Sequence, residues 1–260
     1  MTTEKAYGSL AGRIKTERLI TGWVTMSDPL VAAHLAHEDV DAVVVDMQHG
    51  HFDVRAAILA IGQILLAGKP AIVRVPVREF ATASRMLDAG ASGIIAPMIS
   101  SAADAKMLVE YTKFPPVGER SWGPALALAH NGFAHADYLK VANEKTVVLA
   151  MIETKGAIDA LDEILSVEGL DGVFVGPTDL SLSLSNGTHV DATREDVDVQ
   201  INRISETVAR HGKIMSGMAI PNSKAGDLLK RGFNLVGVGT DATILRQATR
   251  DILAAARAVA

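Results

Sequence analysis

The chain has 260 residues and a formal net charge of −5, with 48% apolar residues, 21% charged residues and no cysteine. That length and balance describe a globular chain able to bury a sizeable core, as one large α/β barrel or two smaller domains, and exclude a disordered one. Interspersed charges leave no basic stripe for phosphates and aromatics are only 4%, so no nucleic acid partner is expected; without thiols there are no disulfides, thiolate nucleophiles or cysteine-ligated zinc.

The opening MTTEKAYGSL has no apolar signal core, and no apolar run reaches the roughly 20 residues of a membrane helix. The expectation is a cytoplasmic protein without a membrane partner. Short β-branched runs then recur along the chain: TGWVT, AVVVDMQ, AIVRVP, GIIAPM, VVLAMIE, GVFVGP, KIMSGMAI and LVGVGT. Between them lie stretches of helical spacing, such as Val54 to Leu66 and Phe80 to Ala89. Gly68, Gly90, Gly212 and Gly232 stand where a helix must stop before the next strand, which predicts short αβ turns. The longest irregular stretch, Phe114 to Phe133, is expected to be a loop at the top face and a candidate lid. Eight strand-helix units predict a single (β/α)8 barrel over residues 1–260, with a doubly wound open sheet as the alternative.

Barrel chemistry sits at the C-terminal ends of strands, so polar residues closing apolar runs are the candidates: Asp46, His49, Arg74, Glu153 and Asp179. Glu153 and Asp179 come from adjacent strands, and hard oxygen ligands with few protein contacts suit Mg²⁺ or Mn²⁺, with Co²⁺ or Zn²⁺ as substitutes. Each acid read alone is more simply a helix cap. Asp46 three residues before His49 suits an acid/base dyad, although His51 competes for the role. Arg74 in an apolar strand needs water, an anion or a carboxylate, and a structural ion pair with Glu153 or Asp46 would also satisfy it.

Weaker candidates have simpler explanations. Gly237 to Ala242 imitates a dinucleotide loop but lacks a complete βαβ unit, and reads as a close-packed turn after the eighth strand. Lys155 reads as a solvated lysine rather than a Schiff-base amine, and His34 and His37 as surface or core histidines rather than a second metal site.

The ordered segments Gly22-Trp23, Val45-Asp46 to Gly50, Val73 to Pro76, Leu87 to Gly90, Pro115 to Arg120, Met151 to Thr154 and Val167 to Ser181 resemble the HpcH/HpaI aldolases, metal-dependent class II pyruvate aldolases of the phosphoenolpyruvate/pyruvate barrel superfamily. The resemblance spans nearly the whole chain. It implies a lyase that reversibly cleaves 4-hydroxy-2-oxo acids to pyruvate or hydroxypyruvate and an aldehyde, with a place in aromatic-compound catabolism. Glu153 and Asp179 would hold the divalent ion; His49, oriented by Asp46, would move the proton of the 4-hydroxyl; and Arg74 would contact the keto oxygen. Trp23, Gly176, Pro177, Thr178 and Met218 would line the substrate site, and Asp88 would approach a neighbouring subunit's site. The resemblance further implies a hexamer, a trimer of dimers that exchange their last helix, about Ala242 to Val259.

Many members carry Gly-Glu in place of Met47-Gln48 and glutamine in place of Met151, which bears on donor preference. Leu128 stands where diacid-cleaving members have arginine, so short neutral hydroxyaldehydes are expected to react better than succinic semialdehyde. An acyl-CoA lyase of the citrate lyase β-chain type and a non-catalytic oxo-acid-binding barrel are the alternatives.

Overall fold

The structure is a computed structural model that describes residues 9–258. The first eight residues, where the missing signal core was read, lie outside the described part, as does Val259 at the end of the expected last helix. Eight parallel strands close into a barrel in sequence order: β1 (Leu19–Val24), β2 (Ala42–Asp46), β3 (Ala71–Arg74), β4 (Gly93–Ala96), β5 (Val147–Ile152), β6 (Gly172–Val175), β7 (Ile214–Met218) and β8 (Leu235–Thr240). The open-sheet alternative fails because β8 pairs with β1.

Alternation along each strand sorts side chains between two apolar layers. Ala42 and Val44 of β2, Ile72 of β3, and Val147, Leu149 and Met151 of β5 share the barrel interior with Trp23 and Phe174. Their strand neighbours Val43, Val45, Val73, Val148, Ala150 and Ile152 face the helices instead. Continuing the inward series by one step gives Asp46 after Val44, Arg74 after Ile72, Glu153 after Met151 and Thr25 after Trp23. The polar residues thus crown an apolar interior at one end of the barrel.

Each surrounding helix contributes an apolar stripe to the outer layer. Val54–Leu66 begins at Asp53, whose carboxylate accepts from the Ala56 N–H at 2.7 Å, and it buries Ala57, Ala60, Ile61, Ile64 and Leu65. Each of its buried Ile and Leu side chains stabilises the fold by about 1.5–3 kcal/mol relative to exposure. The expected turn glycines Gly68, Gly90, Gly212 and Gly232 all take positive φ, from 63° to 104°. Among the described residues no helix is long and apolar enough to cross a membrane.

The stretch from Phe114 to Phe133 is not a lid at the top face. It follows the helix Ala102–Thr112 rather than a strand, so it starts at the opposite end of the barrel. There Lys113 Nζ donates to the carbonyls of Asn143 and Thr146, at 2.8 Å each, and to Asp171 Oδ2 at 2.9 Å, just ahead of β5 and β6. The stretch is partly helical as well, over Ala125–Asn131. Arg120 is buried, lies 4.4 Å above the Phe114 ring and donates to Asp88 Oδ1 at 2.6 Å, which pins the segment against the helix Phe80–Asp88. Leu128 packs with Phe114 and Tyr138 in a separate apolar cluster.

The run at Gly237 is also placed differently from expectation. It belongs to β8 itself, not to a turn after it, and a Cβ on Gly237 would lie 2.8 Å from Met218 Sδ, its neighbour across the β7–β8 pairing. The chain then enters the helix Asp241–Arg257, which buries no residue in the single chain; Ile252 is 68% and Leu245 57% exposed.

Candidate active site

A cavity of about 360 Å³ opens at the C-terminal ends of the strands. Trp23, Asp46, His49, Arg74, the run Gly176 to Asp179 and Met218 line it, while Glu153 is buried and does not line it but sets Oε2 against the lining residue Gly176. Asp88 does not line it either. It lies on an outer helix, paired with Arg120 near the other end of the barrel. Thr25, Phe174, Ile220 and Thr240 also line the cavity and were not singled out from the sequence, although strand alternation marks Thr25 and Phe174 as inward-facing.

Asp46 and Arg74 are aligned partners across the β2–β3 pairing, which brings their side chains together. Arg74 Nε donates to Asp46 Oδ1 at 2.9 Å and Nη2 to Oδ2 at 2.6 Å, a two-pronged geometry that only a guanidinium provides. Oδ2 accepts from Trp23 Nε1 at 3.1 Å as well, and the guanidinium stands 5.0 Å from the Trp23 ring centre. Burial pushes the Asp46 carboxyl upward, but the Arg74 bonds and charge, the indole N–H and the His49 backbone N–H outweigh it and hold it below 3.8.

The expected side-chain dyad between Asp46 and His49 is absent. Asp46 Oδ1 accepts from the backbone N–H groups of Gln48 at 3.0 Å and His49 at 3.2 Å, and no hydrogen bond among the described residues joins the carboxylate to the His49 ring. With both oxygens occupied by Arg74, Trp23 and the backbone, Asp46 fixes the loop that carries His49 rather than its imidazole. His49 lines the cavity at its exposed rim, and His51 does not line it.

Glu153 follows β5 and is only 1% exposed. Its Oε1 accepts from the Met98 N–H at 2.7 Å, whereas Oε2 is buried without a hydrogen-bond partner. The helix-cap reading fails here, because Thr154 caps the helix Lys155–Asp159 by accepting from the Ala157 N–H. Asp179 sits in the first turn of the helix Pro177–Leu184, whose cap is Gly176, so it is not the cap either. Burial lifts the Glu153 carboxyl from 4.5 to about 7; the Met98 N–H opposes the shift and the Asp179 charge adds to it. A Cβ on Gly176 would lie 2.5 Å from Glu153 Oε2 and 2.9 Å from the Met151 methyl, so a glycine is needed beside the free oxygen.

An unpaired buried carboxylate oxygen costs free energy unless something positive meets it. Together with Asp179 it has the chemistry of a hard-cation site with two protein carboxylates; among the described residues no group of three or more His, Cys, Asp or Glu side chains is arranged to hold an ion. The remaining positions would fall to water or substrate. A stability consequence follows from the raised Glu153 carboxyl. Its folded value exceeds its unfolded one, so stability is full below about 4.5 and is lost as pH rises through about 7. In EDTA, Glu153→Gln is therefore expected to stabilise the protein, by about 2 kcal/mol more at pH 8 than at pH 5, as read from urea unfolding. Equal effects at the two pH values would contradict the strained carboxylate.

The rest of the lining is apolar. Met151 and Phe174 are aligned across β5–β6, and the Phe174 ring centre lies 5.6 Å from that of Trp23. A larger hollow of about 570 Å³ lies at the other end of the barrel, around Lys15, Lys113 and Asp171. Its buried cation, Lys113, already donates to two carbonyls and a carboxylate, so that ammonium is met within the fold. Lys155 donates to Asn186 Oδ1 at an exposed position, in keeping with a solvated lysine, and His34 and His37 are both exposed.

Comparison with known proteins places this geometry. The family model described as HpcH/HpaI aldolase/citrate lyase matches residues 19–248. A hydroxypyruvate/pyruvate aldolase of Rhizorhabdus wittichii is 39% identical over 240 residues, covering 92% of this chain and 94% of that protein. A 5-keto-4-deoxy-D-glucarate aldolase of Escherichia coli is 31% identical over 231 residues, 88% of this chain and 89% of that one. The crystal structure of an HpcH/HpaI aldolase/citrate lyase family protein from Burkholderia cenocepacia J2315 superposes with a TM-score of 0.86 at 30% identity, covering 96% of this chain and 99% of that one. The barrel, its crown of carboxylates and guanidinium, and similarity along almost the full sequence agree: the chain belongs to the HpcH/HpaI aldolase/citrate lyase family.

Proposed function

We propose that this protein is a class II aldolase that cleaves 4-hydroxy-2-oxo acids reversibly to pyruvate or hydroxypyruvate and an aldehyde. The observation that carries the reading is the unpaired Oε2 of Glu153, buried against Gly176 in the wall of the cavity that Asp179 and Arg74 line. Glu153 and Asp179 would hold a divalent cation such as Mg²⁺ or Mn²⁺, which would supply Lewis-acid stabilisation of enolate charge. Arg74 uses Nε and Nη2 for Asp46, leaving Nη1 for the keto oxygen of a 2-oxo acid. Because Asp46 fixes the guanidinium before substrate arrives, its charge meets the developing oxyanion without reorganising.

His49 at the rim supplies or removes the proton of the 4-hydroxyl, directly or through water, as the C3–C4 bond breaks or forms. Trp23, Met218 and the backbone from Gly176 to Thr178 shape the walls around the oxo acid. The named activities of the relatives support pyruvate or hydroxypyruvate as donor. The test is pyruvate release from a 4-hydroxy-2-oxo acid before and after EDTA. Activity is expected to vanish and to return with Mg²⁺ or Mn²⁺; full activity in EDTA would remove the metal from the mechanism, and no release under any condition would remove the aldolase reading.

The same reading extends to assembly. Ile244, Leu245, Ile252 and Leu253 are exposed along the final helix of a single chain, a face suited to docking on another copy, as in the implied trimer of dimers. Sedimentation as a monomer at micromolar concentration would contradict this arrangement.

A further inference from the structure

The geometry points to Thr25 as a specificity-determining residue that accepts, and does not donate, a hydrogen bond from the aldehyde portion of the substrate. This rests on the aldolase reading and names the acceptor class of the same site. Thr25 follows β1 in the inward series Thr21, Trp23, Thr25, and it lines the cavity with His49 and Thr240. Its backbone is held on both sides: the N–H donates to Asp241 Oδ1 at 2.9 Å, and the carbonyl accepts from the His51 N–H at 2.8 Å.

The hydroxyl is constrained further. Thr25 Oγ1 donates to Asp241 Oδ1 at 2.6 Å. Both carboxylate oxygens already accept backbone N–H groups, Oδ1 from Ala242 at 2.8 Å and Oδ2 from Met26 at 2.9 Å, so the carboxylate is the acceptor throughout. A threonine hydroxyl has one proton and two lone pairs. With the proton directed to Asp241, Thr25 offers the cavity lone pairs alone.

Strand order says which part of a substrate meets it. In a closed eight-stranded barrel β1 stands across from β5, the strand just ahead of Glu153, and beside β2, which leads into the loop that carries His49. An oxo acid gripped at Glu153, Asp179 and Arg74 therefore extends its aldehyde-derived end past His49 toward Thr25. A hydroxyl on that end can donate to Thr25 Oγ1. A carboxylate there would set lone pairs against lone pairs, next to the Asp241 carboxylate, and an alkyl group would leave the acceptor unpaired. The site thus selects hydroxylated aldehydes over acidic or plain alkyl ones.

The test compares kcat/KM for glycolaldehyde and for propanal, molecules of nearly equal shape, with pyruvate as donor in the wild-type, Thr25→Val and Thr25→Ser proteins. The glycolaldehyde-to-propanal ratio is expected to fall about tenfold in Thr25→Val and to stay near the wild-type value in Thr25→Ser, which restores the hydroxyl. A ratio unchanged in Thr25→Val, even with lower absolute rates, would overturn the proposal. So would a change confined to the hydroxypyruvate-to-pyruvate donor ratio, since it would place the hydroxyl contact on the donor. Absence of aldol product from the wild-type protein with either aldehyde would instead defeat the aldolase reading, and this proposal with it.

Discussion

Replacing Glu153 and Asp179 together by alanine is expected to leave a folded barrel that no longer binds Mg²⁺ or Mn²⁺ and cleaves 4-hydroxy-2-oxo acids at least about 10³-fold more slowly. The size of the loss follows from the apolar setting. Glu153 is buried beside Met151, its Oε2 meets no donor, and the nearby Asp179 charge opposes its ionisation. Two such carboxylates are mutually unfavourable in the metal-free protein and become favourable when they share a doubly charged ion. The double variant should therefore melt higher than the wild-type protein in EDTA, while titration calorimetry detects no metal binding. Intact cleavage by a folded double variant would exclude these residues from the chemistry. A drop in melting temperature in EDTA would contradict the claim that the fold bears a cost to hold them.

Much of this site was legible because strand alternation is a rigid rule. Asp46, Arg74 and Glu153 each continue an inward apolar series by one inward position, two residues on, so their convergence needed only the barrel and the strand ends. The partnerships were less legible. Asp46 stands three residues from His49 in sequence, and that spacing suggested a dyad, but its aligned neighbour across the sheet is Arg74. Cross-strand register is a long-range property that local spacing does not carry. The stretch from Phe114 to Phe133 lies away from the top face, which its sequence does not show because proline and glycine content identifies an irregular segment without saying which end of the barrel it occupies; that depends on whether a strand or a helix precedes it. Its consequence for Leu128 is direct. This residue is buried with Phe114 and Tyr138, so within the chain it does not choose between aldehydes, and the constraint on Thr25 from Asp241 supplies a different reason to expect neutral hydroxyaldehydes.

Arg74→Lys is expected to lower kcat for oxo-acid cleavage by about 10²-fold with a smaller change in KM, because the loss falls on a charge that develops in the transition state. A lysine keeps the positive charge but offers one compact ammonium in place of a fork that spans both Asp46 oxygens at 2.9 and 2.6 Å. Arg74→Met separates the structural part of the role. It leaves Asp46 buried without its cation and is expected to cost about 3 kcal/mol of stability near neutral pH. The sign of its pH dependence follows from the two influences on Asp46. In the wild-type protein the lowered carboxyl contributes stability above about 3.8, lost as pH falls through its depressed value. Without Arg74 the burial effect dominates and raises that carboxyl, so the variant loses stability as pH rises, and its deficit in urea is larger at pH 8 than at pH 5. Adding Asp46→Asn removes the uncompensated charge and should recover most of the stability with no recovery of turnover, since the guanidinium facing the keto oxygen is still missing. Recovery of activity in that double variant would make Arg74 a structural partner of Asp46 and nothing more.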